Sequence, residues 1–539
     1  MKSYQFKVIL LSSILTFNFF KHSFAQYNSQ YITGHFNGSY ENTSQYYMKD
    51  DKIKALQPLE KFSSNGFLKL DYNYGDFSAG IQYESYMPPI MGYFPFTVES
   101  NNKIVNKYFK YTQNKFAVQV GDFYEQFGSG LIFRAYENRQ IGINNALEGF
   151  NVYVEPTDFM KVKVIYGRVR EIFDYSKALT RGMDAEINLI SLLKVKENEH
   201  TPAITLGGSY VSKYEEYTGP LDNFPATVNA FATRLDFSTN NFSLNAEYVN
   251  KGKDPHLVNN YSFKKGNALQ LNSSFTKNNL GASISFRALT NIDFKSDREQ
   301  EFATIGPLNY LPALTKQHDN LTSNIYVYST QPKGEIGGQT DLYYTFKTGT
   351  KIGGKYGTTI AANFSYYSSL NDSSDLLSAG KEKYFSDVNI ELRKKWSKKM
   401  ETTLSYQNVF YNGSLQVLSN SNVISNIIAA GILYKFAPKK SVRFKMEHLS
   451  TKKDQGNWTS ALSEFSFSSP FAFFASDLYN YGKTKNHYYN VGASVTRKSS
   501  RFSFAYGKQR AGLFCAGGVC RFVPANYGFT ASLTTSFAN

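Results

Sequence analysis

Two cysteines, Cys515 and Cys520, are the only ones in the chain, and Ala-Gly-Gly-Val separates them. Two thiols this close predict, if the chain is exported to an oxidising compartment, a disulfide that closes a small loop and staples the last strands together. A redox-active pair is the alternative, and without a neighbouring histidine a zinc site is disfavoured. Lys508, Arg510 and Arg521 make this segment basic. A second constellation runs from Gly121 to Gly149, where glycines mix with Glu125, Arg134, Glu137 and Arg139. Gly128 and Gly130 permit a tight turn or an inward bend. The four charges then either set selectivity as a constriction, as charged rings do in pores, or fill a lumen as a structural ion-pair network. The residues alone favour neither reading.

Signatures of enzymes are thin. Gly482-Lys483-Thr484 resembles the end of a phosphate loop, but Asp477 stands where that loop needs a glycine. Gly128-Ser129-Gly130 is followed by Phe133, so no dinucleotide fingerprint forms. His35, His200, His256, His318, His448 and His487 are scattered without metal-ligand spacing. His448 shares a face with Phe444 and Met446, which reads as an interfacial histidine at a strand end. A lipid-hydrolysing Ser–His pair would need a histidine beside a serine or carboxylate on an outer wall. We therefore expect no enzyme, no cofactor and no metal.

Residues 1–25 read as a secretory signal: Lys2 and Lys7, an apolar stretch from Val8 to Phe20, then Ser23-Phe24-Ala25 before Gln26. No cysteine follows the cleavage point, which argues against a lipoprotein. Residues 26–539 read as one domain, with no linker or low-complexity tract. Beyond Gln26 no stretch approaches the ~18 apolar residues of a membrane helix; the longest run is Ile427 to Tyr434. Mean hydropathy is −0.40, yet 41 Tyr and 45 Phe stand against 15 Pro. A barrel that wets one face of each strand and greases the other resolves that conflict.

The alternation is explicit. From Tyr527 to Phe537 the odd positions are Tyr, Phe, Ala, Leu, Thr and Phe, and the even ones Gly, Thr, Ser, Thr and Ser. An aromatic near the C-terminus matches the assembly signal of outer-membrane barrels, with Ala538-Asn539 as a small departure. Phe242, Leu244, Ala246 and Tyr248 oppose Ser243, Asn245 and Glu247; Ala282, Ile284 and Phe286 oppose Ser283, Ser285 and Arg287. Short turns such as Lys277-Asn278-Asn279 and Lys498-Ser499-Ser500 separate such strands, and they alternate with longer polar segments such as Asn291 to Asn320 and Asn371 to Lys383, read as extracellular loops. A first strand near Ile32 to Tyr40 leaves no place for an N-terminal plug. The reading is all-β, a single large transmembrane antiparallel barrel of about 24 strands, with a range of about 22–26. A soluble sheet would instead show Val, Ile and Leu on its apolar face.

The 125–139 run, Glu-Gln-Phe-Gly-Ser-Gly-Leu-Ile-Phe-Arg-Ala-Tyr-Glu-Asn-Arg, and the 515–521 segment, Cys-Ala-Gly-Gly-Val-Cys-Arg, are distinctive. In these the sequence resembles an uncharacterised, porin-like outer-membrane barrel family of Bacteroidota. The resemblance implies an outer-membrane location and no established activity.

The first functional expectation is a passive channel for small hydrophilic solutes, anions among them. Its lumen would be lined by Lys69, Asp71, Arg443, Lys445 and Glu447 together with the four charges of the 125–139 run. A non-conducting accessory barrel with envelope-protein partners is the second, and a lipid-modifying enzyme the third. The formal net charge of +16 suits contact with anionic lipopolysaccharide or solubility of loops during export; nucleic acid is not expected for an exported chain.

Overall fold

The computed structural model describes residues 34–539 apart from 96–97, 197, 218–222, 373–374, 416–420 and 468–469. The expected signal sequence, 1–25, lies outside the described residues. One antiparallel sheet holds 25 segments. One of them, Asp174–Tyr175, is a two-residue hook on the strand Met160–Glu171. The other 24 close on themselves, because the first strand, His35–Tyr47, pairs with the last, Asn526–Ala538. Strands run from 8 residues (Phe116–Phe123) to 17 (Ala379–Lys395), enough to cross a bilayer when tilted. Helix is confined, among the described residues, to Leu189–Leu192 and two single 3-10 turns.

The turns separate the two ends. At one end, two-residue connections such as 75–76, 278–279 and 498–499 join neighbouring strands. Gly75, Asn278 and Lys498 take positive φ there (55°, 53° and 53°), as tight hairpins with the right twist require. The strand His35–Tyr47 begins and the strand Asn526–Ala538 ends at this side. At the other end the connections are longer, the longest being 291–334, between Leu280–Thr290 and Glu335–Phe346.

The outer face is apolar without cover. Ile284, Ile428 and Met446 are more than half exposed (54%, 59% and 53%), and Phe231, Phe444, Phe473 and Phe502 are exposed beside them. An uncovered apolar belt running round the whole molecule is far beyond what water tolerates on a monomer, and lipid is the solvent that suits it. Near the long-loop end the belt gains polar tips: the hydroxyls of Tyr210 and Tyr406 donate to Asn229 (2.9 Å) and Asn426 (2.8 Å) on the neighbouring strand. That is the interfacial girdle, ring buried and hydroxyl wet.

The interior differs from the sequence-based expectation. The 291–334 segment folds into the barrel instead of projecting from it. Buried residues form one core from its Ile292, Phe294 and Leu308, the inward loop residues Phe127, Leu131 and Phe133, and the wall residues Val211, Val228, Val249 and Leu289. Ile325, Tyr326 and Tyr328 make a second core against Tyr367, Tyr411, Leu449 and Trp458 on the far wall. The segment 371–383 also departs from expectation: its last residues belong to the strand Ala379–Lys395.

Candidate functional site

The candidate site is the lumen and the loops that close its mouth. On the strand Phe62–Tyr74, Lys69 and Asp71 point inward, 3.4 Å apart, and the Tyr108 hydroxyl donates to Asp71 (2.7 Å). On the strand Lys440–Ser450, Arg443, Lys445 and Glu447 share the inward face. Sequence reasoning missed their partner, Asp319 of the long loop, which meets Arg443 at 2.8 Å and Lys445 at 2.9 Å. Burial alone would raise the Asp319 carboxyl; the two cations outweigh it and hold it below the usual range. Glu447 accepts from the backbone N–H groups of Leu321 (3.1 Å) and Thr322 (2.8 Å). These wall charges therefore grip a loop.

The 124–146 loop does not gather its four charges into one network. Glu125 takes the Lys163 ammonium (2.9 Å). Arg134 lies between the rings of Tyr136 and Tyr310, 4.6 and 3.9 Å from their centroids, a cation–π sandwich. Glu137 accepts from Arg139 (3.0 Å) and Gln82 (2.7 Å), and Arg139 reaches Glu41 on the first strand (3.2 Å). The loop is stitched to the long loop by backbone bonds, Arg134 N–H to Leu308 O (2.8 Å) and Tyr310 N–H to Gly130 O (2.9 Å). Asn309 adds a bridge by donating to Leu131 O (3.0 Å) and Ile292 O (2.8 Å).

Cys515 and Cys520 face each other across a small hairpin, Gly512–Ala516 with Val519–Val523, and form a disulfide. The staple lies within the connection between the last two strands. Its tip carries Gly517 and Gly518. Tyr310 donates to Gly517 O (2.7 Å) and Ala313 N–H to Gly518 O (2.8 Å). A side chain at Gly518 would stand 2.8 Å from Ala313 O, so the approach requires glycine. Arg521 donates to Gly92 O and to Gln140 O (3.2 Å). Four loops, 87–95, 124–146, 291–334 and 510–525, thus meet across the mouth.

Buried ion pairs anchor them. Arg170 forks onto Glu84 (3.1 and 2.7 Å), Arg287 meets Glu335 (2.8 Å) and also donates to Pro312 O of the loop (2.8 Å), and Lys213 meets Asp254 (2.7 Å). Burial would push Asp254 up, but the Lys213 and Lys251 ammonium groups hold it at about 2. Burial pushes Lys295, in the long loop, down to about 7 against the pull of Glu171 and Asp293.

On the outer wall His448 hydrogen-bonds the Tyr481 hydroxyl (2.5 Å). His487 pairs with Asp477 (2.6 Å) under the ring of Tyr479. The carboxylate that a lipid-cleaving histidine would need is thus present; among the described residues no serine hydroxyl bonds to either ring. No group of three metal-ligating side chains occurs among the described residues.

Among solved structures the chain is similar to the translocation pore of the P pilus usher PapC, at 10% identity over 94% of this chain and 99% of that one, with a TM-score of 0.44. OccAB4 from Acinetobacter baumannii matches at 10% identity, 95% and 99% coverage and a TM-score of 0.38. The siderophore receptor PirA from Pseudomonas aeruginosa matches at 8% identity, 93% and 80% coverage and a TM-score of 0.40. No curated protein matches. The sequence profile of a family of unknown function, DUF6029, matches residues 1–537, and the chain belongs to that family.

Proposed function

We propose that this outer-membrane barrel is a porin-like channel for small hydrophilic solutes, drawn nearly shut at its outer mouth by its own loops. The supporting observation is the contrast along one wall: hydroxyls, amides and paired charges face the lumen toward the short-turn end, while apolar residues bind the loops at the other. A polar lumen suits hydrated solutes. A hydrophobic loop core across the mouth suits low flux, not free diffusion. We assign no catalytic role, since among the described residues no hydroxyl nucleophile contacts the His487–Asp477 pair. Membrane lipid would solvate the belt, lipopolysaccharide would meet the basic loops, and nucleic acid has no place in this reading.

Planar-bilayer recording on the folded full chain tests the proposal. Discrete small conductance steps are expected; their complete absence would remove the channel reading. The filled mouth favours a second reading, a non-conducting accessory barrel in an envelope secretion or assembly complex. Stable companions after extraction in mild detergent would support it, and a solitary, conducting monomer would exclude it.

A further inference from the structure

We propose that the inner wall between the strands Thr227–Ser238 and Thr358–Leu370 binds a neutral, hydroxyl-rich solute, a short oligosaccharide in chemical class. The proposal rests on the channel reading for its purpose, and it names which hydrophilic solutes that channel takes.

Across these strands the inward residues stand in register. Asp236 is opposite Asn245, Asn245 opposite Asn272, Asn272 opposite Ser285, and Ser285 opposite Gln339. One pleat nearer the short turns, Ser283 is opposite Asp341, and Asp341 opposite Asn363. The two carboxylates are held by amides, not by cations. Asn245 donates to Asp236 (2.7 Å), Asn363 donates to Asp341 (2.7 Å), and Gln339 donates to Asp341 as well. Below Arg287, no inward position on the strands Gly266–Lys277, Leu280–Thr290, Glu335–Phe346 or Thr358–Leu370 carries Lys or Arg. Elsewhere the lumen wall is charged in both signs, by Lys69, Lys163, Arg393 and Arg443 among others.

An anion entering this sector meets two carboxylates, while the nearest inward cation, Arg234, is buried and already held by Asp184 and Glu186. A sugar meets donors and acceptors side by side, which is what a hydroxyl, itself both donor and acceptor, can use. A hollow of about 480 Å³ lies against the wall, lined by Thr205, Asp236, Ser243, Asn245, Asn272 and Ser283, within the size range of small-molecule sites. At the far end of the row sits an aromatic platform. Tyr343 is 47% exposed, and a side chain at its cross-strand partner Gly281 would collide with its ring. The ring therefore lies along the wall over the glycine and offers its free face to the lumen, where the C–H face of a sugar ring can pack. Asn272 and Tyr343 are two inter-strand spacings apart across the sheet and four residues apart along it, ~17 Å in all, the reach of a few sugar units.

The test is calorimetric titration of the full chain, folded in an amine-oxide detergent so that no sugar headgroup competes. Maltotriose is the probe; citrate and putrescine are the charged comparators. Saturable maltotriose binding, stronger than that of either comparator, is expected. Asn245→Leu combined with Asn272→Leu, and separately Tyr343→Ala, should each weaken it at least about tenfold. Should the double variant fail to fold, the exposed Tyr343→Ala keeps the test. Absence of maltotriose binding, equal or tighter binding of citrate or putrescine, or unchanged affinity in the variants would overturn the proposal. A barrel that binds maltotriose yet never conducts would sink the channel reading instead.

Discussion

Within the single strand Phe242–Lys251, Ser243 and Asn245 look into an open hollow, while Glu247, Val249 and Lys251 on the same face are buried. The strand Thr227–Ser238 repeats this, with Val228, Ala230 and Ala232 buried under loops and Asp236 on the open side. Strand geometry is identical in the two halves; only the inward side chains change. The difference shows how a barrel too wide to fill with its own wall residues is closed. The long-loop half makes its inward residues apolar or pairs them as buried ions and buries loop against them, and the short-turn half keeps them polar and leaves the lumen wet.

Breaking the closed half at its strongest point should give the largest effect. Arg287→Met removes the partner of buried Glu335 and a donor to the long loop. Leaving a buried charge unpaired costs about 3–5 kcal/mol, so hydrogen exchange in 291–334 should accelerate by orders of magnitude while the strands stay protected. Ser285→Ala, one pleat away on the open side, should leave exchange unchanged.

Opening the hairpin comes next. Replacing Cys515 and Cys520 by serine removes a short-loop constraint worth about 2 kcal/mol. Protection should fall in 510–525 and at its contacts Tyr310 and Ala313, and conductance should become noisier rather than larger. An unchanged exchange pattern would show that the hairpin holds itself without the bond.

Acid should give the smallest and most graded effect. Asp254, at about 2 in the closed state against an ordinary 3.8, lends stability that is complete above its ordinary value. That stability is lost as pH falls from about 4 to about 2. Lys295 works at the opposite end of the scale. Its low value makes the closed state weaker as pH falls from the usual lysine range to about 7, so closure should tighten steadily as pH rises from about 7 to about 10. Exchange of the 252–265 and 291–306 backbone, followed against pH, checks both trends.

The wall was legible in the sequence because its signal is local. Period two appears wherever Phe, Tyr and small residues meet lipid, so strands such as Asn526–Ala538 and the strand number follow from counting. The disulfide was legible from its local spacing, but it closes a small hairpin within the last connection rather than joining the last two barrel strands as the sequence suggests. The closed mouth was not legible. Ile292, Phe294, Leu308, Ile325 and Tyr328 sit at irregular intervals in a polar segment, and their partners lie on strands up to some hundred and fifty residues away. One hint was present: where loops cover the wall, as at Ala230 to Ala232, both faces of the strand turn apolar and alternation fades. The charges Arg443, Lys445 and Glu447 were expected on the inward face, but their hold on Asp319 and Thr322 depends on a fold of the loop that no spacing encodes.

The division into a sealed and an open half is tested most directly by thiol accessibility. In a background with Cys515 and Cys520 replaced by serine, Ala230→Cys and Ser274→Cys place one inward thiol in each half. A membrane-impermeant maleimide should modify the cysteine at 274 at least about a hundredfold faster than the one at 230, a gap that corresponds to a local opening energy of about 3 kcal/mol. Equal rates would mean that the loops do not seal the mouth, and a barrel closed by its own loops would be ruled out.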